Sequence, residues 1–219
     1  MRITLLKRML RSRETFFPPK RRVQWATGLT EIKDSEMKAL VRTYGTPKSL
    51  SFSADFHEFE CDLVRQSTRK ERHHDITCFI RKDGQYVVIQ KPAYGGTGIY
   101  RAPSGGAHKG ESIEEGAKRE MREETGLEVK LLRFVLDISL EIRCRDEVIP
   151  WRSLVFLAEP VSGDMAPIDT IEIQEVKLMA REEMLGDVQR LMEESGWGGF
   201  KYRAFLTRSF FQYADSMRL

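Results

Sequence analysis

The sequence predicts one α/β sandwich that follows an N-terminal extension. Strand-like alternation lies on both sides of a single helix with clear ends at residues 112–125, and further helical segments follow it. A length of 219 residues suits one well-buried domain with a small extension. We assign residues 1–68 to the extension, with a basic arm and short helices, and residues 69–219 to the main domain.

The first 22 residues form a basic arm on an otherwise acidic chain. They carry eight Lys and Arg side chains and one acid, whereas the remaining residues sum to a charge of −4. Ile3, Leu6 and Leu10 share one side of a predicted amphipathic helix. We expect this arm to be a docked helix or an oligomer contact, as in a homodimer. Nucleic-acid binding is disfavoured but stays open, because no RNA-binding motif accompanies the arm.

The number of cysteines and the length of the apolar runs indicate the cellular compartment of the protein. Cys61, Cys78 and Cys144 are odd in number and lack C-x-x-C spacing, which argues against a disulfide framework and a zinc site. No run reaches the roughly 18 apolar residues of a membrane helix. We therefore expect a cytoplasmic protein with reduced cysteines. The Arg-rich start leaves a mitochondrial transit peptide as the alternative.

In the extension, the pattern predicts a helix over Asp34–Tyr44, with Asp34 or Ser35 as N-cap and Gly45 as its stop. Residues 50–64 fit both strand and helix periodicity, and we favour a short strand followed by a helix. Charged residues at 65–75 predict a solvated boundary before the main domain.

In the main domain, residues 76–81 and 85–90 predict a hairpin around Asp83-Gly84. Residues 92–100 predict a loop, and Gly105-Gly106 a second glycine-rich turn. Ser112 and Glu115 predict a capping box, and Gly126 predicts a left-handed helix end. Later segments predict three strands at 129–144, 148–159 and 175–179, and two helices at 181–194 and 200–217.

The segment from Gly105 to Leu127 carries the most specific pattern in the chain. It resembles the Nudix box, G-x(5)-E-x(7)-R-E-u-x-E-E-x-G-u, in which u is apolar. The matching positions are Gly105, Glu111, Arg119, Glu120, Met121, Glu123, Glu124, Gly126 and Leu127. From average composition, a chance match anywhere in this chain is on the order of one in a million. The resemblance implies a Nudix-type α/β/α sandwich with a mixed sheet and a central Nudix helix.

The spacing of the glutamates has a physical meaning of its own. Glu120, Glu123 and Glu124 are three and four residues apart, so they share one face of the helix. An acidic face that is merely solvated is the alternative, but the glycine-rich segment before the helix favours a metal site. Oxygen clusters of this kind suit Mg²⁺, with Mn²⁺ also compatible.

The resemblance also implies roles for individual residues. Gly105 would supply a carbonyl ligand, and Glu120, Glu123 and Glu124 would bind metal. Arg119 would hold the glutamates in place, and Glu111 would be tied to the helix. The family uses one more acid from a later loop, for which we choose Glu172 first and Glu175 second.

Substrate contacts are predicted on weaker grounds. Tyr100 and Trp151 could stack on a base, and Arg101 or Arg143 could hold a phosphate. The paired His73 and His74 are expected to be surface residues and not metal ligands.

These features predict a Nudix-type pyrophosphohydrolase that acts on a small-molecule nucleoside diphosphate derivative. Two alternatives remain: a pyrophosphohydrolase of RNA 5′ ends, and a non-catalytic nucleotide sensor. The intact box disfavours the sensor, because a sensor does not need Arg119 and all three glutamates.

Overall fold

The computed structural model describes residues 32–219, and the expectations for the basic arm lie outside these residues. The helices are α1 (Asp34–Tyr44), α2 (Glu58–Arg69), α3 (Ile113–Thr125), α4 (Arg181–Glu183), α5 (Gln189–Glu194) and α6 (Gly198–Ser216). The strands are β1 (Lys48–Asp55), β2 (His74–Lys82), β3 (Gln85–Gln90), β4 (Ser104–Gly105), β5 (Glu128–Cys144), β6 (Glu147–Ser162) and β7 (Glu175–Met179).

The strands form a mixed seven-stranded sheet in the order β1-β5-β6-β2-β3-β7, with β4 paired to β2. The pairs β1–β5 and β2–β6 are parallel, and the other pairs are antiparallel. In the β2–β3 hairpin, Asp83 and Gly84 have φ angles of 51° and 76°, as a type I′ turn requires.

Helices cover both faces of the sheet, which confirms the predicted α/β/α sandwich. On one face, Ala117 and Met121 of α3 and Leu40 of α1 pack against the strands. On the other face, α6 packs with Phe210 stacked on Phe79 at 3.7 Å between ring centroids. The central helix is therefore fixed along its apolar side, and its polar side is left for other contacts.

Most element predictions are confirmed, including the strand-then-helix interpretation of residues 50–64. The domain boundary after residue 68 stays a prediction, although α2 runs across that position and β1 joins the same sheet. The N-cap of α1 is Lys33, so the choice of Asp34 or Ser35 was wrong by one or two residues. The helix predicted at 181–194 is interrupted by a π-helical turn, Met184–Val188, in which Gly186 leaves the helical conformation.

The predicted turn at Gly105-Gly106 is instead partly strand. Gly105 belongs to β4 and pairs with Ile76 of β2. Neither glycine has a positive φ, so a tight turn is not what selects glycine here. The close approach of neighbouring side chains selects it instead.

The expectation of reduced cysteines is wrong for two of the three. Cys61 of α2 and Cys144 at the end of β5 form a disulfide, while Cys78 is free and buried. These cysteines are 83 residues apart in the sequence. The parallel pairing of β1 with β5 brings them together, because Asp55, at the end of β1 and shortly before α2, pairs with Arg143 beside Cys144. Along the described chain, no helix is long and apolar enough to cross a membrane.

Replacing both Cys61 and Cys144 with serine is expected to lower the free energy of unfolding by about 2–4 kcal/mol, because the crosslink restricts the unfolded chain. Urea unfolding of both proteins in oxidising buffer measures this difference. Reductant should bring the wild type to the midpoint of the double variant and leave the variant unchanged. Equal midpoints in oxidising buffer would contradict the prediction.

Candidate active site

The central helix α3 begins and ends where its sequence dictates. The Ser112 hydroxyl accepts a hydrogen bond from the Glu115 amide at 3.2 Å, and the Glu115 carboxylate accepts one from the Ser112 amide at 2.9 Å. Gly126 has a φ of 77° and ends the helix in the left-handed conformation. These ends fix the rotation of the helix, so that Glu120 and Glu124 face β4.

Glu124 is a buried carboxylate at the centre of this region, only 3% exposed. Its Oε2 accepts a hydrogen bond from the Ser104 amide at 2.7 Å. Lys91 Nζ lies 3.5 Å and Arg101 Nη2 3.7 Å from Oε1. Burial raises the pKa of Glu124, although Arg101 and Lys91 act in the opposite direction. Two cations thus lie within salt-bridge distance of this buried carboxylate, whose oxygens are also of the kind that hard divalent cations bind.

Glu120 lies directly against Gly105. Its carboxylate occupies the space that a side chain at position 105 would fill. The amide of Gly106 donates a hydrogen bond to Glu120 Oε1 at 3.2 Å. Glycine is therefore required at position 105 because a carboxylate of α3 approaches the backbone of β4 closely.

Arg119 connects the glutamates to the backbone. Its Nε and Nη2 donate to the two carboxylate oxygens of Glu111, both at 2.9 Å, and Nη2 also donates to the Gly106 carbonyl at 2.9 Å. Its Nη1 lies 3.0 Å from oxygens of Glu120 and Glu123. These bonds lower the pKa of Glu111 and keep it ionised. One guanidinium thus holds three carboxylates and one carbonyl in a fixed arrangement.

The loop acid Glu172 reaches the same region through Lys91. Lys91 Nζ lies 2.6 Å from Glu172 Oε2, and the same nitrogen contacts Glu124. Asp169 holds the turn by accepting from the amides of Ile171 and Glu172. The alternative acid, Glu175, accepts instead from the Tyr100 hydroxyl at 2.7 Å. The geometry therefore places Glu172, and not Glu175, beside the glutamates of α3.

Lys91 and Ser104 are two residues of this region that sequence reasoning missed. Nothing in the sequence marked Ser104 as a site residue except its position directly before Gly105. Lys91 directly follows β3 and precedes the loop 92–100, and a cation at that strand end was the available signal.

The residues predicted to bind substrate have structural partners. Arg101 is 8% exposed, and its guanidinium donates to the Tyr94 hydroxyl, the Ala102 carbonyl and the Ser104 hydroxyl. Lys177 Nζ lies 3.9 Å from the ring centroid of Tyr100. Trp151 Nε1 donates to Asp75 at 3.1 Å.

Arg143 is held by Asp55 and Ser53 on β1. These four residues, Arg101, Tyr100, Trp151 and Arg143, are not brought to the cavity described next.

A cavity of about 1060 Å³ opens beside these carboxylates. Its lining includes Gly105, Glu120, Glu172 and Lys91, and its other walls come from the start of α1, the end of α2 and residues 107–113. Its size is at the upper end of the range for small-molecule sites.

The donor set next to the cavity fits a hard divalent cation, because it consists of carboxylate oxygens beside a backbone carbonyl. Within residues 32–219, no three His, Cys, Asp or Glu side chains are already grouped as a metal centre. Arg119 and Lys91 contact the carboxylates instead.

Comparisons with known proteins show similarity over much of the chain. The family model described as NUDIX domain matches residues 71–201. The chain is 33% identical over 97 residues to the NAD-capped RNA hydrolase NudC of Photobacterium profundum, covering 42% of this chain and 32% of that protein. It is 28% identical over 122 residues to the uncharacterized Nudix hydrolase YvcI of Bacillus subtilis strain 168, covering 55% and 72%.

Among solved structures, a hydrolase of the NUDIX family from Clostridium perfringens aligns with a TM-score of 0.43 and 17% identity, covering 57% of this chain and 94% of that one. The match to NudC spans about a third of that relative's length.

Proposed function

Because this chain belongs to the Nudix family, we propose that it hydrolyses a diphosphate linkage in a nucleoside diphosphate joined to another moiety, in a magnesium-dependent reaction. The observation that carries the proposal is the arrangement of Glu120 and Glu124 against β4, in which Arg119 holds Glu120 beside a large cavity and the Ser104 amide holds Glu124. Two phosphates resist attack by water because of their negative charge, and a site of this kind overcomes that resistance.

Each residue has a defined task in this proposal. Glu120, Glu123, Glu124 and the Gly105 carbonyl hold the metal, which when bound neutralises diphosphate charge and acidifies a water. Arg119 holds Glu120 and Glu123 in place. Glu172 takes the proton of the attacking water on the carboxylate oxygen that does not contact Lys91. Manganese is proposed as a substitute metal.

A second candidate function is hydrolysis at RNA 5′ ends. It is supported by the similarity to a protein named NAD-capped RNA hydrolase and by the basic residues 1–22. A longer anionic substrate would meet these residues through phosphate contacts whose strength falls with salt. The small-molecule substrate stays our first proposal, because the carboxylate cluster and cavity are sufficient for it.

Incubation with magnesium and a panel of nucleotide sugars, dinucleotides, nucleoside triphosphates and triphosphorylated RNA tests these functions. We expect cleavage within a P–O–P linkage, giving two phosphorylated products or pyrophosphate, and no reaction in EDTA. Product identification by mass spectrometry decides between the substrate classes. Phosphate release from simple monoesters, without any diphosphate cleavage, would overturn the proposal.

Two further properties are proposals as well. We propose a homodimer, to be measured by light scattering of the full chain. We also propose a cytoplasmic location. Disulfides are uncommon in a reducing cytoplasm, so the redox state of Cys61 and Cys144 in cells tests this location directly.

A further inference from the structure

The connection between α2 and β2 brings a cation to the cavity wall. Helix α2 ends at Arg69, and the chain reverses at Glu71, whose φ of 60° is left-handed. The Glu71 amide donates to the Thr68 carbonyl at 2.9 Å, and the Arg72 amide donates to the Ser67 carbonyl at 3.1 Å. These are the two bonds of a Schellman helix end. The backbone of Arg72 is therefore fixed by the helix before it.

The side chain of Arg72 is also held in place. Its Nη2 donates to the Ser67 hydroxyl at 2.9 Å. A Cβ placed on Gly106 would lie 2.5 Å from Arg72 Cδ and 2.9 Å from its Nη1. The guanidinium group thus fills the space that glycine leaves open at position 106, one residue from the Gly105–Glu120 contact.

Arg72 differs from the other cations near the carboxylates. Arg119, Lys91 and Lys109 each form salt bridges with glutamates. No carboxylate of residues 32–219 forms a salt bridge with Arg72. Its side-chain bond to Ser67 uses one of the five guanidinium N–H groups and leaves four, among them one parallel pair, for other acceptors. A half-buried guanidinium with unused donors has lost part of its hydration without gaining an anion.

Arg72 lines the same cavity as Glu120 and Glu172. A molecule whose diphosphate lies at these glutamates therefore extends along a wall that carries Arg72. Lys70, at the end of α2, lines the same wall and adds a second positive charge.

We propose that Arg72 forms an anion subsite that binds a phosphate group of the substrate other than the two in the scissile linkage. The planar guanidinium donates two hydrogen bonds to phosphate oxygens, a geometry that lysine does not provide. This inference rests on the proposed function for the position of the substrate, because the glutamates define where the scissile diphosphate lies. It predicts a preference for substrates with a third phosphate.

The test uses four probes that a diphosphate hydrolase cannot cleave. AMP and the α,β-methylene analogue of ADP carry only phosphates of the scissile linkage and serve as parent probes. Adenosine 3′,5′-bisphosphate adds a phosphate on the ribose of AMP, and the α,β:β,γ-bismethylene analogue of ATP adds a third phosphate to the 5′ chain of the ADP analogue. Isothermal titration calorimetry of the full chain without metal measures their affinities. We expect at least one probe with an added phosphate to bind the wild type ten-fold or more tightly than its parent probe. The probe whose affinity increases identifies where on the substrate the extra phosphate is attached.

Arg72→Gln should abolish this gain and leave the affinity of the parent probes within two-fold. Arg72→Lys should restore part of it. The matched control is Arg69→Gln, which removes the same charge from an exposed position outside the cavity lining and should keep the full gain. Thermal melts verify that each variant is folded.

Three results would overturn the subsite: no gain from either added phosphate in the wild type, an unchanged gain in Arg72→Gln, or an equal loss in Arg69→Gln. None of these measurements involves turnover or metal. A protein that binds the probes as expected but cleaves no diphosphate would refute the proposed function and leave the subsite standing.

Discussion

Replacing Glu124 with glutamine is expected to lower turnover of the best substrate at least 100-fold, which corresponds to about 2.7 kcal/mol of lost transition-state stabilisation. Glutamine keeps the length of the side chain and an oxygen that accepts from the Ser104 amide. It removes the negative charge from a position that is 3% exposed. The hydrogen bond from Ser104 is therefore kept, whereas Lys91, Arg101 and the proposed metal lose a negative partner.

Thermal melts separate this loss of charge from unfolding. Without metal, the variant should be as stable as the wild type within about 1 kcal/mol, because a buried charge is removed while its hydrogen bond is kept. Added magnesium should raise the melting temperature of the wild type more than that of the variant, because the ligand binds the folded state.

The matched control is Glu114→Gln, which removes one charge from the same helix at a residue paired with Lys118. It should keep turnover within a few-fold. A fully active Glu124→Gln enzyme with the magnesium shift of the wild type would refute the metal assignment.

Replacing Arg119 with lysine is expected to lower turnover by about 100-fold or more, comparable to the loss of a catalytic hydrogen-bond donor. Lysine keeps the positive charge but cannot donate in parallel to both oxygens of Glu111 while also reaching the Gly106 carbonyl. Glu120 and Glu123 would then lose the donor that holds them. Stability should fall by about 1–3 kcal/mol, because a part-buried network is broken.

Arg122→Lys is the control for this experiment. Arg122 lies on the same helix and pairs with Glu128, with both side chains more than half exposed. Its replacement should change neither turnover nor the urea midpoint beyond error, since exposed pairs contribute little. If Arg119→Lys behaves as this control does, the role of Arg119 in holding the cluster is wrong.

Most of the fold was predicted from patterns that involve only a few neighbouring residues in the sequence. The capping box at Ser112 and the glycine at 126 predicted both ends of α3, because helix termini are decided by bonds within a few residues. The hairpin at Asp83-Gly84 followed in the same way from the φ angles that a two-residue turn demands. The helix at 181–194 was less well predicted, because one glycine replaced a regular turn with a π-helical one.

Contacts between distant segments were harder to predict. The disulfide joins cysteines that are 83 residues apart in the sequence. The number and spacing of cysteines do not indicate which of them lie close together in the folded chain. Arg101 was assigned to substrate as an arginine beside a loop. In the structure, Arg101 contacts Glu124 and donates to the Ser104 hydroxyl instead, and these contacts depend on how the preceding loop 92–100 folds.

The sequence by itself determined the family, the central helix and the common face of Glu120, Glu123 and Glu124, because helical periodicity places residues three and four apart together. Only the tertiary structure decided which groups meet that face. It placed Lys91 between Glu124 and Glu172, and Arg72 against Gly106. The physical reason is that these partners come from separate strands and loops, and their approach is set by sheet pairing and core packing and not by any local spacing.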